Sequence, residues 1–387
     1  MHYREDRYGN KLSTLGFGCM RFPLSDSATD ALICAAISAG VNYFDTAFAY
    51  GPSEARLGKV LAKHGLRDQV KIAAKLPHKR CKSIADVERI FSEELVRLQT
   101  DHIDYYLIHN LSSQGQWQRL LDLGIKSWIE QHQADGSLCQ LGFSFHGAQS
   151  EFFKLLEAFD WDFCQIQYNY LGEGFQAGNA GLERASALGL PVVIMEPLLG
   201  GRLAKNLPPA AEQAFAVLER HWTPAQWALA WVLNHSQATL ALSGMNAMQQ
   251  LVDNLAVADA AEAGALTPKE LAAFESAKLA LRDDRRIPCT GCNYCMPCPH
   301  GVNIPACFAA YNARQSMSFY QGMHMYITST GADQDFPTRG ATACRRCGIC
   351  RGKCPQGIDI PGELEKVRQR MEHWPLGPVL KLIRRHF

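Results

Sequence analysis

The sequence predicts an α/β fold: a parallel (β/α)8 TIM barrel followed by a smaller, mainly helical domain rich in cysteine. Three observations carry this. Up to about residue 258, short apolar runs alternate with longer segments of helical periodicity. Eight such runs occur, the number that closes a barrel. Nine of the 14 cysteines then crowd into positions 289–354.

The expected strands are Thr14 to Gly18, Val41 to Phe44, Val70 to Ala74, Ile103 to Ile108, Leu138 to Phe143, Phe163 to Ile166, Val192 to Ile194 and Thr239 to Leu242. Most are apolar throughout, as strands covered on both faces must be. Between them, Val87, Ile90, Phe91, Leu95 and Leu98 give one example of an amphipathic helix face. A doubly wound sheet is the weaker alternative, because no G-x-G-x-x-G follows the first strand. A hairpin turning at Tyr8-Gly9-Asn10 precedes that strand. Thr267 and Pro268 begin a late helix as N-cap and first residue.

Asp283-Asp284-Arg285-Arg286 is a polar joint, and it divides the chain into a barrel over 1–282 and a cysteine-rich domain over 283–387. The second part repeats itself. Cys298-Pro299-His300-Gly301-Val302-Asn303-Ile304-Pro305 is matched by Cys354-Pro355-Gln356-Gly357-Ile358-Asp359-Ile360-Pro361, with Pro305 and Pro361 placed to start helices. The basic, amphipathic tail from Leu380 to Phe387 reads as a docked or frayed terminal helix.

Cys289, Cys292, Cys295 and Cys298 are spaced C-x2-C-x2-C-x2-C-P; Cys344, Cys347, Cys350 and Cys354 are spaced C-x2-C-x2-C-x3-C-P. Three thiolates two residues apart can wrap three corners of an iron-sulfur cubane, and the chain then turns away at the proline. Zinc, the alternative, favours paired C-x2-C knuckles joined by a longer loop. The second run resembles the bacterial-ferredoxin signature, and the first is one residue short of it. The resemblance implies a two-cluster ferredoxin-like domain with two [4Fe-4S] clusters and an exchanged fourth ligand. Cys289, Cys292 and Cys295 would then share one cluster with Cys354, and Cys344, Cys347 and Cys350 the other with Cys298. Cys307 is surplus and is expected to pack on a helix.

A net charge of +1 lacks the positive field of a nucleic-acid binder. No apolar stretch is long enough for a membrane span, and the charged N-terminus is unlike a signal peptide. Clustered free thiols point to a reducing, cytoplasmic setting.

In a parallel barrel the reactive face lies at the C-terminal strand ends. Those ends carry Asp45 with Tyr50 close behind, Lys75, His109, Ser144, Gln165, Met195 and Ser243. With these types in this order, residues 1–258 resemble the aldo-keto reductase family. The resemblance implies a catalytic tetrad of Asp45, Tyr50, Lys75 and His109. Tyr50 would give the proton, Lys75 would ease its ionisation, Asp45 would hold Lys75, and His109 would orient the substrate oxygen.

The resemblance also implies a nicotinamide coenzyme, NADP(H), with NAD(H) as the alternative. Ser144 and Gln165 match the carboxamide-binding positions. Met195 stands where many members place a stacking aromatic ring. Gly18 and Met20 are expected to line the pocket, and Gly201 and Arg202 to wrap the pyrophosphate. Family members that prefer NADP carry basic residues after the eighth strand. From Ser243 to Leu266 this chain has none, only Asn246, Gln250 and Asn254 as neutral contacts, so weak discrimination is expected. The implied function is an iron-sulfur-containing oxidoreductase acting on a small-molecule carbonyl or alcohol, with a ferredoxin-like electron carrier as partner. The alternative is a redox-sensing or electron-transfer protein whose barrel binds nicotinamide but turns over little. Trp117, Phe145, Tyr170 and Phe175 could wall the pocket, although core packing suits most of them better.

Overall fold

The computed structural model describes residues 1–282, 286–316, 319–330 and 339–372. Its contacts part the chain into two compact units. The first is Met1–Leu198 with Arg220–Ala272; the second is Leu199–Glu219 with Ala273–Phe387. Residues 283–285 of the expected joint and the tail from Leu380 lie outside the described residues.

The first unit opens with the expected hairpin, β1 (Tyr3–Glu5) paired antiparallel with β2 (Lys11–Ser13). Asp6 shapes its turn, accepting hydrogen bonds from the amides of Tyr8 and Asn10 at 2.8 and 2.9 Å. Eight parallel strands then close a barrel: β3 (Leu15–Gly18), β4 (Tyr43–Asp45), β5 (Lys71–Leu76), β6 (Ile103–Leu111), β7 (Leu138–Phe145), β8 (Phe163–Gln167), β9 (Val192–Met195) and β10 (Leu240–Ser243). Each overlaps its sequence expectation, with ends displaced by up to three residues.

Helices α1 (Asp26–Ser38), α2 (Ser53–His64) and α3 (Ile84–Leu98) follow the first three barrel strands. Then come α4 (Gln114–Asp122), α5 (Ile125–Ala134), α6 (Gln149–Ala158) and α7 (Gly178–Ala187). After β9 lie α8 (Pro209–Ala216), which belongs to the second unit, and α9 (Pro224–Leu233). β10 is followed by α10 (Met248–Ala260) and α11 (Pro268–Arg282). Thr267 caps α11 as expected, with its hydroxyl 3.2 Å from the Glu270 amide and the Glu270 carboxylate 2.8 Å from the Thr267 amide.

Inside the barrel, Tyr43, Ala73, Tyr105, Leu107, Phe163, Val193, Leu240 and Leu242 form one packed layer, with Leu12 of the hairpin. Side chains on a strand alternate between faces, so these positions set which residues point inward further along. In the second unit, α12 (Ile304–Ser316), α13 (Phe319–Thr330) and α14 (Ile360–Met371) surround a core that includes Ile304, Phe308, Tyr326, Ile360, Leu364 and Val367. Pro305 and Pro361 are the second residues of their helices, and Cys307 is fully buried in α12. Tyr326 ties this core together: its hydroxyl donates to Glu372 at 2.6 Å and accepts from the Ala341 amide at 2.7 Å.

Helix α3 departs from the expected apolar face. Val87, Ile90, Phe91 and Leu98 are buried, but Glu94 is also fully buried and Leu95 is only half-buried. Glu94 is reached by Tyr106, whose hydroxyl donates to it at 2.6 Å, and lies within the electrostatic reach of Glu54 of α2. The helices are close because Gly58 lies over the Leu98 backbone, where a Cβ would come within 2.5 Å. Two carboxylates this close and this dry cannot both ionise. Burial raises both: Glu54 is raised although Glu94 and Arg97 oppose the rise, and Glu94, with the Glu54 charge adding to burial, is raised well above the ordinary glutamate range.

In the unfolded chain Glu94 loses its proton above roughly pH 4.3, while the fold retains it far longer. This carboxyl's contribution to wild-type stability is therefore full below that pH and declines as pH rises. Glu94→Gln supplies an N–H in place of the carboxyl proton and carries no such penalty. Thermal unfolding from pH 4 to pH 8 is expected to place the variant increasingly above the wild type. A constant offset, or a more stable wild type at pH 8, would contradict the protonated pair.

Candidate active site and metal centre

The inward layer of the barrel leads directly to its reactive end. Two residues beyond Tyr43, Ala73, Leu107, Phe163 and Val193 stand Asp45, Lys75, His109, Gln165 and Met195. By strand alternation all five share the inner face at the C-terminal ends. The apolar layer beneath removes water from one side of this polar set.

Lys75 is 1% exposed, and its ammonium donates to Asp45 Oδ1 at 2.5 Å and to the Thr46 carbonyl at 2.6 Å. Burial raises the Asp45 carboxyl above the ordinary range, while Lys75 and then Gln165 oppose that rise. Tyr50 lies in the loop after β4, its amide bonded to the Ala47 carbonyl at 2.9 Å. Lys75 Nζ is 5.1 Å from the Tyr50 ring centre. The rings of Tyr50 and His109 meet edge-to-face, 5.8 Å apart at 85°. Burial, and then the Lys75 charge, holds His109 well below the ordinary histidine range, so it is neutral at physiological pH. A neutral imidazole can donate one N–H without adding a second cation beside Lys75. The four residues of the predicted tetrad thus sit together.

The other barrel residues divide by what already engages them. Gln165 Oε1 is buried and has no hydrogen-bond partner among the described residues, leaving an acceptor suited to a carboxamide. Ser144 Oγ accepts from the Asn110 amide at 2.8 Å, which leaves its own hydrogen to donate. Gly18 ends β3, and Met20 follows in a single 3-10 turn. Met195 packs on the inner apolar layer. After β10, Asn254 is buried and donates to Ser243 Oγ at 2.9 Å, and Gln250 Oε1 accepts from the Asn246 amide at 2.8 Å. Asn254 and Gln250 therefore brace their own helix and loop. Among the pocket-wall candidates, Trp117, Phe145 and Tyr170 are buried core residues, and Phe175 is exposed.

Three ionisable groups near these strand ends were missed by the sequence reading. His146 follows β7, is pushed down to about 4 by burial, and lies 3.2 Å from Gln176 Oε1. His78 follows β5 and is pushed down to about 4, by burial first and then Lys79 and Arg119. Glu196 follows β9, and burial raises it to about 7 against the pull of Arg21. Position directly after a barrel strand was the available signal for all three.

Gly201 and Arg202 fall in the second unit. Gly200 and Gly201 have φ of +65° and +95°, and Arg202 donates to the Leu281 carbonyl at 3.4 Å. Gly200 lies against Thr290, where a Cβ would come within 2.6 Å.

In the same unit Cys289, Cys292, Cys295 and Cys354 line one cavity, so the last cysteine of the second run joins the first three of the first. The thiols acting electrostatically on Cys295 are those of Cys289, Cys292 and Cys354. Those acting on Cys350 are Cys344, Cys298 and Cys347. The first of these groups, Cys289, Cys292, Cys295 and Cys354, combines the two runs in the way the ferredoxin resemblance implies. In each run a backbone amide donates to the first cysteine, Gly291 N to Cys289 Sγ and Arg346 N to Cys344 Sγ, both at 3.4 Å. Four soft sulfur donors around a closed space, with amides turned to the sulfurs, suit a [4Fe-4S] cubane.

Serine substitutions test the grouping through iron content. Cys354→Ser and Cys292→Ser share one cluster, so the double variant is expected to keep about four irons, as each single variant does. Cys354→Ser with Cys298→Ser strikes both clusters and is expected to keep almost none. Loss of almost all iron from the Cys354→Ser, Cys292→Ser double variant as well would mean that each run closes its own site.

The sequence profile of the aldo/keto reductase family matches residues 14–278. That of a 4Fe-4S dicluster domain matches residues 288–358. A probable aldo-keto reductase from Glycine max is 26% identical over 287 residues, covering 64% of this chain and 81% of that protein. An uncharacterized oxidoreductase from Bacillus subtilis is 27% identical over 296 residues, covering 64% and 88%. Among solved structures, an aldo-keto reductase from Klebsiella pneumoniae in complex with NADPH has a TM-score of 0.59 at 26% identity, covering 71% of this chain and 95% of that one. The holo form of an aldo-keto reductase from Bacillus halodurans has the same fold, with a TM-score of 0.61 at 22% identity over 72% of this chain and 96% of that one. No helix among the described residues is long and apolar enough to cross a membrane.

Proposed function

The chain belongs to the aldo/keto reductase family, and on that premise we propose that it reduces a small-molecule carbonyl with NADP(H) or NAD(H), or oxidises the corresponding alcohol, with two [4Fe-4S] clusters providing electron transfer. The observation that carries the reading is the buried Lys75–Asp45 pair beside Tyr50 and His109 at the barrel's C-terminal end.

Bound nicotinamide supplies the hydride, and the clusters supply steps of one electron each. The protein's own part is the proton and its placement. Tyr50 donates its phenolic proton to the oxygen as the carbonyl carbon gains hydride, giving the alcohol. Lys75 stabilises the phenolate left behind, which is otherwise a poor product for a group with a free pKa of about 10. Asp45 keeps Lys75 charged and in place. Neutral His109 donates to the substrate oxygen where negative charge develops. Gln165 and Ser144 orient the coenzyme carboxamide.

The Klebsiella pneumoniae relative in complex with NADPH supports a nicotinamide coenzyme here. The run from Ser243 to Leu266 has no Lys or Arg for a 2′-phosphate, and Asn254 and Gln250 already serve their own loop and helix. This favours acceptance of NADH alongside NADPH. We read the setting as cytoplasmic, with a ferredoxin-like carrier as the electron partner.

Tyr50→Phe removes the proton donor and little else. Carbonyl reduction is expected to fall roughly 10²–10⁴-fold, the usual range for losing a general acid. The coenzyme dissociation constant should stay within about twofold, as expected when only a transition-state interaction is lost. Steady-state assays with a panel of aldehydes and quinones, alongside fluorescence titration of coenzyme, read both. Wild-type turnover in the variant would end the tyrosine assignment.

A further inference from the structure

The two cysteine loops share one backbone form and differ in charge. In the first, Gly291 and Asn293 have φ of +67° and +64°; in the second, Arg346 and Gly348 have φ of +54° and +79°. The same amide-to-sulfur bond closes both. Yet Cys289 to Cys298 contains no charged residue, whereas Cys344 to Cys354 contains Arg345, Arg346, Arg351 and Lys353 and no acid.

All four basic residues are exposed, and so is Cys347. Ile349, at the centre of the loop, is 52% exposed. The nearby acids do not cancel the patch. Arg351 binds Asp359 at 2.7 Å, Glu365 pairs with Arg368 and Glu363 with Lys366. Arg346 acts on Asp359 and Glu365 only through space. The side chains of Arg345 and Lys353 make no hydrogen bond or ion pair with the described residues.

Arg346 is the informative position. Its left-handed backbone is one that glycine adopts freely and a long side chain adopts at a cost. The first loop uses glycine there. The second keeps a guanidinium, so the residue is retained for something other than the turn.

We propose that the loop Cys344 to Lys353 is the docking surface for an acidic one-electron carrier protein. This rests on the reading that Cys344, Cys347, Cys350 and Cys298 hold a cluster. An exposed apolar centre inside a basic rim, on the loop whose cysteines would hold a redox group, fits a small, transient, electrostatically steered interface. One reduced carrier gives one electron and leaves oxidised; the cluster passes from its 2+ to its 1+ state, and no proton moves. Two such events balance the two electrons of one hydride. The reverse direction uses the same contact. The first loop, without charge, lacks the means to steer such a partner.

The test uses full-length, anaerobically purified protein with both clusters and a small acidic two-iron ferredoxin as probe. The variant combines Arg346→Gly, which suits the backbone, with Arg345→Ser and Lys353→Gln. Iron content and the cluster's EPR signal are expected to match the wild type. Ferredoxin binding by calorimetry and the bimolecular electron-transfer rate by stopped flow should each weaken about tenfold at low salt, and the steep salt dependence should flatten. Methyl viologen, which needs no docking, should exchange electrons as before. Unchanged ferredoxin binding and rate would overturn the proposal. So would loss of iron or an altered EPR signal in step with the binding loss, because the charges would then serve the cluster itself. Tyr50→Phe protein is expected to bind the ferredoxin normally, so failure of the carbonyl reading and failure of this one are separable.

Discussion

A lysine ammonium inside a protein loses the water that stabilises it, and only a close carboxylate and further acceptors replace that loss. Lys75 has both, Asp45 on the neighbouring strand and the Thr46 carbonyl. Much of the barrel serves this contact. The apolar layer below keeps it dry, strand register sets Asp45 opposite Ala73, two residues before Lys75 on the same inward face, and the loop after β4 brings Tyr50 within the field of the charge. His109 then has to be neutral, since a second cation beside Lys75 would raise the cost again. Catalytic competence and burial are here one arrangement, because low local polarity makes a single ammonium strong enough to matter to a phenol.

What the sequence made legible follows from how strongly each feature is over-determined. Strands covered on both faces must be apolar throughout, so all eight were visible, with errors only at their ends. Asp45, Tyr50, Lys75 and His109 were visible because chemistry-bearing residues recur at strand ends in one order. The cysteine runs were visible because cluster geometry demands their spacing. Glu94 was not, since a helical pattern marks Leu95 as core and gives no hint that a partner glutamate and Tyr106 make a carboxyl tolerable there. Nor could the sequence tell that Asn254 is occupied with Ser243, or that Leu199–Glu219 joins the second unit, because both depend on contacts distant along the chain.

Nicotinamide chemistry moves electrons in pairs, and cubane chemistry moves them singly. In the proposed reading the barrel's Tyr50 gives a proton and its His109 binds the oxygen, which carbonyl reduction by hydride needs and single-electron transfer does not. In the same reading the second unit's eight thiols form two exchanged sets of four, so that neither repeat completes its site without the other.

The central claim is that the Lys75–Asp45 pair exists for Tyr50 and not for the fold. Stability and activity of three variants separate these. Lys75→Met leaves a buried carboxylate alone and is expected to cost about 3–5 kcal/mol. Asp45→Leu combined with Lys75→Met replaces the pair by apolar groups and should recover most of that stability. Asp45→Leu alone strands the ammonium and should be destabilised like the first. Denaturant unfolding, measured beside kcat/KM for carbonyl reduction, is predicted to find the double variant stable and as inactive as Lys75→Met. Recovery of activity together with stability would contradict the account, because a pair that can be replaced by methionine and leucine is not preparing a tyrosine to give up its proton.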